Sequence, residues 1–376
     1  MKSLIAITLT LIFGGAMLTM TTSSIEPSIN NAKGTHHSDK GGYINTAADF
    51  TEETAILPLL MRYATEKRVN AEPEQMQPII KLTSKQLMEL PSDEDRVIRL
   101  GHSSIFMQLD GKRWLIDPVF SERASPFSFI GPKRFHPTPI SLKDLPEIDG
   151  VLISHDHYDH LDKATIKHLA STSTQFIVPL GVDKHLLRWG VAANKVQSLD
   201  WWESFNLGST KITATPTQHF SGRGIFDKNE TLWASYVIES QQNKIYFSGD
   251  SGYFAGFKEI GERFGPFTLT MVETGAYDAD WPTIHMTPEQ SLQAHIDLRG
   301  ETMMPIHNGT FDLAFHSWYE PLERIVKLAN DADVKLATPM MGQGLTLKNN
   351  QLNTSQLSTR EYWWRTETQR EMALAL

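Results

Sequence analysis

The sequence predicts a mixed α/β (α+β) fold of four layers, an αββα sandwich in which helices cover two facing β-sheets. Short apolar runs bounded by Gly, Asp and Pro begin near Arg96 and are typical of many short strands. Helical stretches lie between the later runs. A doubly wound parallel sheet would need stricter alternation of strand and helix and a Gly-rich first turn, which the sequence lacks.

The chain begins with a segment typical of export. Residues 1–22 contain one early Lys followed by an uncharged apolar run, which indicates a signal peptide or an uncleaved membrane anchor. Residues 23–48 are rich in Thr, Ser, Asn and Gly and predict a flexible linker, in which His36 and His37 have no expected role. We therefore expect an exported protein of the cell envelope, either periplasmic or membrane-anchored.

A helical extension is predicted next, over about residues 49–95. Apolar residues recur at helical spacing in the stretch 50–90 and are expected to face the main body of the domain. These residues are Leu57, Leu60, Met61 and Ala64.

The main body of the predicted domain starts with a β-hairpin. In RVIRLGHSSIFMQLDGKRWLIDPVF, the dipeptide Asp110-Gly111 separates two apolar runs, as a tight turn requires. Further strands are predicted by DGVLIS, QFIVPLG, KITATPTQH, WASYVIES, NKIYFSGD, LTMVETGA and TMMPIH. Helices are predicted over 162–170, 182–189, 256–264 and 287–298, and REYWWRTETQREMALAL predicts a helix or tail that caps the fold.

Charge and composition exclude several classes of function. The net charge of -9 argues against a nucleic-acid partner, because phosphate neutralisation needs a basic surface. The chain has no cysteine, which excludes disulfides, thiolate catalysis and sulfur-ligated metals. Its 14 histidines are therefore the main potential ligands for a soft metal ion.

Four potential metal ligands follow the apolar run 151–153 within six positions. They form the pattern His-x-His-x-Asp-His at His155, His157, Asp159 and His160. In an extended backbone His155 and His157 point to the same side and can bind one ion, whereas Asp159 and His160 can bind a second. Imidazole nitrogen and carboxylate oxygen are ligands that zinc accepts without thiolate. The pattern therefore predicts half of a two-metal site.

Three later strands end in residues that could complete this site. ITATPTQH, IYFSGD and MMPIH end in His219, Asp250 and His307, and we expect these strand ends to meet at one rim. Asp250 has two oxygens and is the predicted bridging ligand. The first ion is assigned to His155, His157, His219 and Asp250, and the second to Asp159, His160, Asp250 and His307. Two Zn²⁺ are expected, with iron or manganese as alternatives.

Other ionisable residues are expected to have structural roles. Asp156 and Asp162 are expected to support a ligand or to begin the next helix. The remaining histidines of the domain are interpreted as hydrogen-bonded polar residues, namely His102, His136, His168, His185, His295 and His316.

The pattern and its surroundings resemble the metallo-β-lactamase superfamily and, within it, the N-acylphosphatidylethanolamine-hydrolysing phospholipase D family. The similar stretches are DPVFSERASP, GPKRF, HYDHLD, LDWWE, FSGDSGY, EIGERFGPF, GAY and IHNGTF, in this order over roughly residues 95–345. The resemblance implies a hydrolase domain of αββα fold over residues 49–376, with two zinc ions on the ligands above. It also implies a phospholipase D type phosphodiesterase that releases N-acylethanolamine and phosphatidic acid.

The resemblance also implies roles for residues beside the metals. It suggests His285, in WPTIHMTPEQS, as a catalytic and substrate-positioning residue, and Tyr158 as a substrate-binding residue. Asp159 would orient the nucleophile as well as bind metal, so Asp159 and His285 are the expected catalytic residues. The implied partners are a phospholipid or other small ester and a membrane surface, and a homodimer is an open alternative.

Several positions depart from the family pattern and leave the choice of substrate open. They are Phe220, Glu273, Thr274, Ile284 and Asn308, none of which is an expected ligand. A metal-dependent lactonase or other esterase of the same fold is the first alternative function. A non-catalytic, metal-stabilised binding module of the envelope is the second.

Overall fold

The computed structural model describes residues 36–47, 50, 61–62, 65–348, 351–353 and 362–365. The expected signal peptide or anchor over 1–22 and much of the linker over 23–48 lie outside these residues. So do Leu57, Leu60 and Ala64 of the predicted helical extension and most of the C-terminal tail.

The described residues form strands and helices in an order that begins with strands and adds helices later. The strands are β1 (Asp95–Gly101), β2 (Ser104–Leu109), β3 (Lys112–Ile116), β4 (Gly150–Leu152), β5 (Gln175–Pro179), β6 (Val196–Leu199), β7 (Ser204–Leu207), β8 (Thr210–Thr215), β9 (Ser235–Glu239), β10 (Lys244–Phe247), β11 (Leu269–Glu273), β12 (Thr302–Ile306), β13 (Lys335–Leu336), β14 (Gly344–Lys348) and β15 (Gln351–Leu352). The α-helices are α1 (Ser84–Met88), α2 (Lys163–Leu169), α3 (Asp183–Arg188), α4 (Gly256–Phe264), α5 (Pro288–Asp297) and α6 (Glu320–Asp331), and short 3₁₀ helices lie at Leu142–Asp144 and Ala193–Lys195.

Two mixed sheets are built from these strands. The first has the order β15-β14-β1-β2-β3-β4-β5-β6, and the second has the order β13-β12-β11-β10-β9-β8-β7. Each sheet contains antiparallel strands at one end and parallel strands at the other. Helices α2 to α6 connect the parallel strands, as parallel pairing requires a long crossover.

The three largest clusters of buried apolar side chains form successive layers, which gives the predicted αββα arrangement. The largest cluster combines residues of both sheets, including Ile105 and Trp114 of the first sheet with Tyr236 and Phe247 of the second. A second cluster joins the outer face of the first sheet to α2 and α3, and a third joins the second sheet to α4, α5 and α6. Along β2, Ile105 and Met107 face the other sheet while Phe106 faces the helices, so the two-residue period of a strand separates the layers.

The hairpin prediction is confirmed at Asp110-Gly111. These two residues have φ values of 50° and 74°, and β2 pairs antiparallel with β3 on either side of them. Two consecutive positive φ angles are typical of the turn that matches strand twist, and Gly111 adopts its angle without a Cβ penalty.

The helix predictions differ in their outcome. Helices α2, α3, α4 and α5 lie within the predicted ranges and confirm them. The continuous helix over 50–90 is wrong for residues 66–83, which form bends and an isolated bridge between Ile79 and Met341. Pro73 and Pro78 explain the difference, because each lacks an amide donor and excludes helical backbone before it. Met61 is also exposed rather than buried against the domain.

Two further features complete the architecture. The described part of the C-terminal tail packs on α6, where Trp363 and Trp364 are buried against Leu322 and Val326. Across the residues described, the structure contains no helix that is both long enough and apolar enough to pass through a bilayer.

Candidate metal centre

The predicted ligands lie where strands end at one rim of the two sheets. The loop after β4 carries His155, His157, Asp159 and His160, in a stretch of irregular and turn backbone over residues 153–160. The other three ligands, His219, Asp250 and His307, follow β8, β10 and β12. These three strands run in the same direction in the second sheet, which brings their ends together.

The first group consists of His155, His157, His219 and Asp250. One ligand atom from each lies within 4.8 Å of the others. His155 Nε2 is 2.9 Å and His219 Nε2 is 3.3 Å from His157 Nδ1. Asp250 Oδ2 is 3.7 Å from His155 Nε2 and 3.8 Å from His219 Nε2. The structure thus brings together the four residues assigned to the first ion.

The second group contains Asp159, His160 and His307, which the sequence assigned to the second ion, and it also contains His102. Asp159 Oδ2 lies 3.4 Å from His160 Nε2 and 3.2 Å from His307 Nε2. His102 Nε2 is 2.9 Å from the same oxygen. His102 was interpreted as a hydrogen-bonded polar residue outside the metal site, and the structure shows that its partner is Asp159 and that it lies within this group.

Asp250 joins the two groups, as expected for a bridging ligand. Its Oδ2 lies 3.1 Å from His160 Nε2 and 3.0 Å from His307 Nε2, in addition to the first-group contacts. The strand end that carries it is tightly packed: Gly249 has φ +57°, and a Cβ there would lie 2.8 Å from Ser154 Cβ. A single carboxylate oxygen therefore faces histidines of both groups.

The donor set fits divalent metal ions. The ring of His219 is oriented by Nδ1, which lies 2.9 Å from the Ile284 carbonyl oxygen, and the ring of His160 by Nδ1, which lies 2.7 Å from Asp117 Oδ2. Both rings thereby turn Nε2 inward as a potential ligand. His160 Nε2 and Asp250 Oδ1 are buried and have no hydrogen-bond partner among the described residues. Unpaired buried polar atoms are costly, and metal coordination would satisfy them.

Burial and neighbouring charges shift the pKa values of the first group in the directions that favour metal binding. Burial lowers the pKa of His155 and of His219 well below the usual value, so these imidazoles are neutral, as metal ligands must be. Burial opposes ionisation of Asp250, but His160 and His307 outweigh it and hold the pKa of this carboxyl well below its usual value. The group therefore combines neutral nitrogen ligands with an ionised carboxylate.

The structure adds supporting residues that the sequence interpretation missed. Asp117 follows β3 and accepts hydrogen bonds from the Ser154 amide at 2.7 Å and the Ser154 hydroxyl at 2.6 Å, besides facing His160. Its strand-end position in LIDP is the same pattern that identified Asp250. Asn45 donates through Nδ2 to the His219 carbonyl at 2.7 Å and accepts from the His219 amide at 3.1 Å. No local sequence pattern relates Asn45 to a ligand 174 positions away.

His285 lies between the two groups. Its ring centroid is 5.1 Å from that of His219 and 5.3 Å from that of His307. Its Nδ1 contacts Oε1 of Glu273, a fully buried carboxyl at the end of β11. Burial lowers the pKa of His285 to about 4. Glu273, a departure from the family pattern, therefore orients the histidine that the resemblance singled out.

The Tyr158 hydroxyl forms its hydrogen bond with Arg223 and not with a predicted metal ligand. Its hydroxyl donates to the Arg223 carbonyl at 2.8 Å, and the Arg223 guanidinium lies 4.0 Å from its ring centroid. The side chain thus ties the ligand loop to the loop after β8, and its expected contact with substrate stays a prediction.

The remaining residues fall into two sets. His136, His185, His295 and His316 are hydrogen-bonded polar residues as expected, and Asp162 caps α2. His36 and His37 are different: both rings contact Asp200, with Nε2 atoms 2.6 and 2.8 Å from its oxygens. The expectation of no role was wrong, because these histidines attach residues 36–47 to the domain.

Comparisons with known proteins agree with this architecture. A family profile described as "Beta-lactamase superfamily domain" matches residues 112–308. An uncharacterized protein of Mycobacterium tuberculosis is 44% identical over 247 residues, which are 65% of this chain and 66% of that protein's length. The N-acyl-phosphatidylethanolamine-hydrolyzing phospholipase D 1 of Caenorhabditis elegans is 36% identical over 261 residues, covering 65% of this chain and 73% of that protein.

A solved structure shows the same fold. The metallo hydrolase Igni18 of the archaeon Ignicoccus hospitalis has a TM-score of 0.52 and 22% identity, covering 68% of this chain and 99% of that structure.

Proposed function

The chain belongs to the metallo-β-lactamase superfamily, and we propose that it is a binuclear metallohydrolase that cleaves N-acylphosphatidylethanolamine into N-acylethanolamine and phosphatidic acid. The contact that carries the proposal is that of Asp250 Oδ2, which lies 3.0 to 3.8 Å from four histidine nitrogens of two groups. The substrate is suggested by the C. elegans relative, whose name specifies this reaction.

Two zinc ions, with iron or manganese as alternatives, would be held by the two groups around Asp250. When bound, they would supply a hydroxide nucleophile at neutral pH and positive charge opposite the phosphate oxygens. The absence of cysteine leaves histidine and carboxylate as the ligands, which all three metals accept.

Two side chains of the site would take the remaining catalytic roles. Asp159 is held by His102 on its Oδ2 and would orient the attacking water towards phosphorus. As water attacks, it gives up a proton, the bond between phosphorus and the ethanolamine oxygen breaks, and that leaving oxygen takes up a proton. Glu273 contacts Nδ1 of His285. The other ring nitrogen, Nε2, would therefore be the one that gives a proton to the leaving oxygen. This assigns Asp159 to the nucleophile and His285 to the leaving group.

The experiment compares substrates on the purified full chain. Turnover of N-acylphosphatidylethanolamine is measured beside a panel of lactones and carboxylic esters. Asp250→Ala should reduce phospholipid turnover to background because both groups lose a shared ligand. Asp331→Ala is the matched control, since this aspartate pairs with Lys327 on the surface of α6. Lactone or ester turnover without phospholipid turnover would refute the proposed substrate and favour the alternative hydrolase.

A further inference from the structure

A concave surface, which we name the cationic cleft, lies beside the ligand loop. It encloses about 300 Å³ and contains none of the predicted metal ligands. Tyr158, between the ligands His157 and Asp159, forms part of its wall. The charged side chains that line it are Arg123, Asp162, Lys163, Arg188, Arg223 and Asp227. The cleft and the candidate metal centre therefore share one loop.

The cleft is positively charged on an acidic protein. Its four cationic side chains exceed its two carboxylates by two charges, whereas the whole chain has a net charge of -9. Both carboxylates accept main-chain hydrogen bonds: Asp162 from Ala164 and Ser121, and Asp227 from Arg223 and Gly224. None of the four cations has a carboxylate oxygen within 4.0 Å in the described part of the chain. The excess charge is therefore available to an anion.

Arg223 is the most firmly held of these cations. Its guanidinium lies 4.0 Å from the Tyr158 ring centroid and 5.2 Å from that of Trp189. Nη1 donates to the carbonyls of Asp156 and Leu161, at 2.5 and 2.9 Å. Guanidinium has five N–H donors, so three remain for a ligand. Such a fixed, planar donor suits the oxygens of a phosphate group.

Exposed apolar side chains lie on the same chain segments as the residues that line the cleft. Those next in the chain to lining residues are Phe127, Leu187, Ile225 and Phe226, and Phe129 lies beside Phe127 with ring centroids 5.6 Å apart. Phe226 is 92% exposed and Phe129 is 74% exposed. In the described residues, all exposed phenylalanines belong to this rim. A clustered apolar rim on a water-facing surface indicates an interaction site.

We propose that the cationic cleft and its rim dock the protein on a bilayer, with the phosphate of an anionic phospholipid in the cleft and the rim in the interface. Apolar contact combined with basic charge is the chemistry of interfacial binding to anionic lipid. The positive charge of the cleft selects this occupant over a basic or uncharged partner, and the exposed apolar rim selects it over a soluble anion. The inference extends the proposed function, because docking through the loop of Tyr158 sets the metal centre at the lipid surface.

The test uses the absence of cysteine, which allows a single environment-sensitive label on the full chain. Ile225→Cys places an NBD fluorophore on the rim. Ile296→Cys on α5 is the matched control, because the two isoleucines are 53% and 47% exposed. Vesicles of phosphatidylcholine with phosphatidylglycerol should increase and blue-shift emission at position 225 only. An equal response at both positions, or none at position 225, would overturn the proposal.

The charge of the cleft is tested in the labelled protein. Lys163→Gln with Arg188→Gln should weaken vesicle binding about 25-fold, since each basic residue at an anionic surface contributes about fivefold. Lys85→Gln with Lys327→Gln removes the same charge elsewhere and should leave binding within about twofold, because these exposed side chains lie outside the cleft. Equal binding by both variants, or equal binding to vesicles of phosphatidylcholine alone, would refute the role of the cleft.

Two further measurements distinguish bilayer docking from binding of a soluble anion and from the proposed hydrolysis. Inorganic phosphate that reproduces the label response without vesicles would identify a site for a soluble anion and overturn docking. The vesicles contain no N-acylated lipid, so the response does not depend on hydrolysis. Docking without turnover of N-acylphosphatidylethanolamine refutes the proposed function alone, and turnover without docking refutes this inference alone.

Discussion

Asn45 provides a sensitive test of the link between residues 36–47 and the metal centre. Its side-chain amide forms two hydrogen bonds with the main chain of His219, one in each direction. Asn45→Ala removes both and leaves the His219 amide and carbonyl without their partner. His219 is fully buried, so these main-chain groups are poorly placed to recover the bonds from water.

The expected effect follows from the number and burial of these bonds. Loss of partners for buried polar groups costs about 1 to 3 kcal/mol of folding stability. Removing a group that orients a metal ligand typically weakens metal affinity about 10- to 100-fold. Because Asn45 contacts His219 and not the second group, only one of the two metal equivalents should be weakened. Asn45→Asp should behave similarly, since it places an oxygen opposite the His219 carbonyl.

The assay is a zinc titration of the metal-free full chain against a competing chelator, with thermal unfolding measured in parallel. Asn206→Ala is the matched control, because Asn206 is exposed on β7. We expect one weakened equivalent for Asn45→Ala and two unchanged equivalents for Asn206→Ala. Unchanged affinity of both equivalents for Asn45→Ala would show that Asn45 does not orient His219 for metal binding.

Three other substitutions probe the site. Asp117→Asn should weaken the metal equivalent that His160 binds about 10- to 100-fold, since His160 loses the carboxyl group that orients its ring; two unchanged equivalents in a zinc titration would contradict this. Gly249→Ala should lower stability by about 1 to 3 kcal/mol, because its positive φ and tight contacts penalise a Cβ; calorimetry with an unchanged Tm would disprove the packing argument. Glu273→Leu should lower kcat about 10- to 100-fold with two metals retained, because it releases His285; a rise in KM alone or a loss of metal alone, in steady-state kinetics with metal analysis, would argue against an orienting role.

Most ligands of the candidate metal centre could be predicted from the sequence, because they follow a pattern with a physical cause. His155, His219, Asp250 and His307 each follow an apolar strand, and strand ends of like direction meet at one rim. A polar residue directly after a buried strand is costly without a partner, so the pattern marks a site. Asp117 follows the same pattern and could have been included.

Other features depend on contacts that no local pattern encodes. His102 lies in the turn between β1 and β2 and not after an apolar strand of the second sheet, so the pattern that identified the ligands did not include it, and its partner Asp159 is 57 positions away. The pairing of His36 and His37 with Asp200 spans more than 160 positions. Apolar spacing over 50–90 suggested a helix, whereas the prolines within it prevent continuous helical hydrogen bonding.

Anomalous X-ray diffraction from zinc-loaded crystals would show whether two metal ions share Asp250. We expect two anomalous peaks with Asp250 as a ligand of both, and two zinc ions per chain by elemental analysis. A single peak, or two peaks of which only one contacts Asp250, would mean that Asp250 does not join two metal ions.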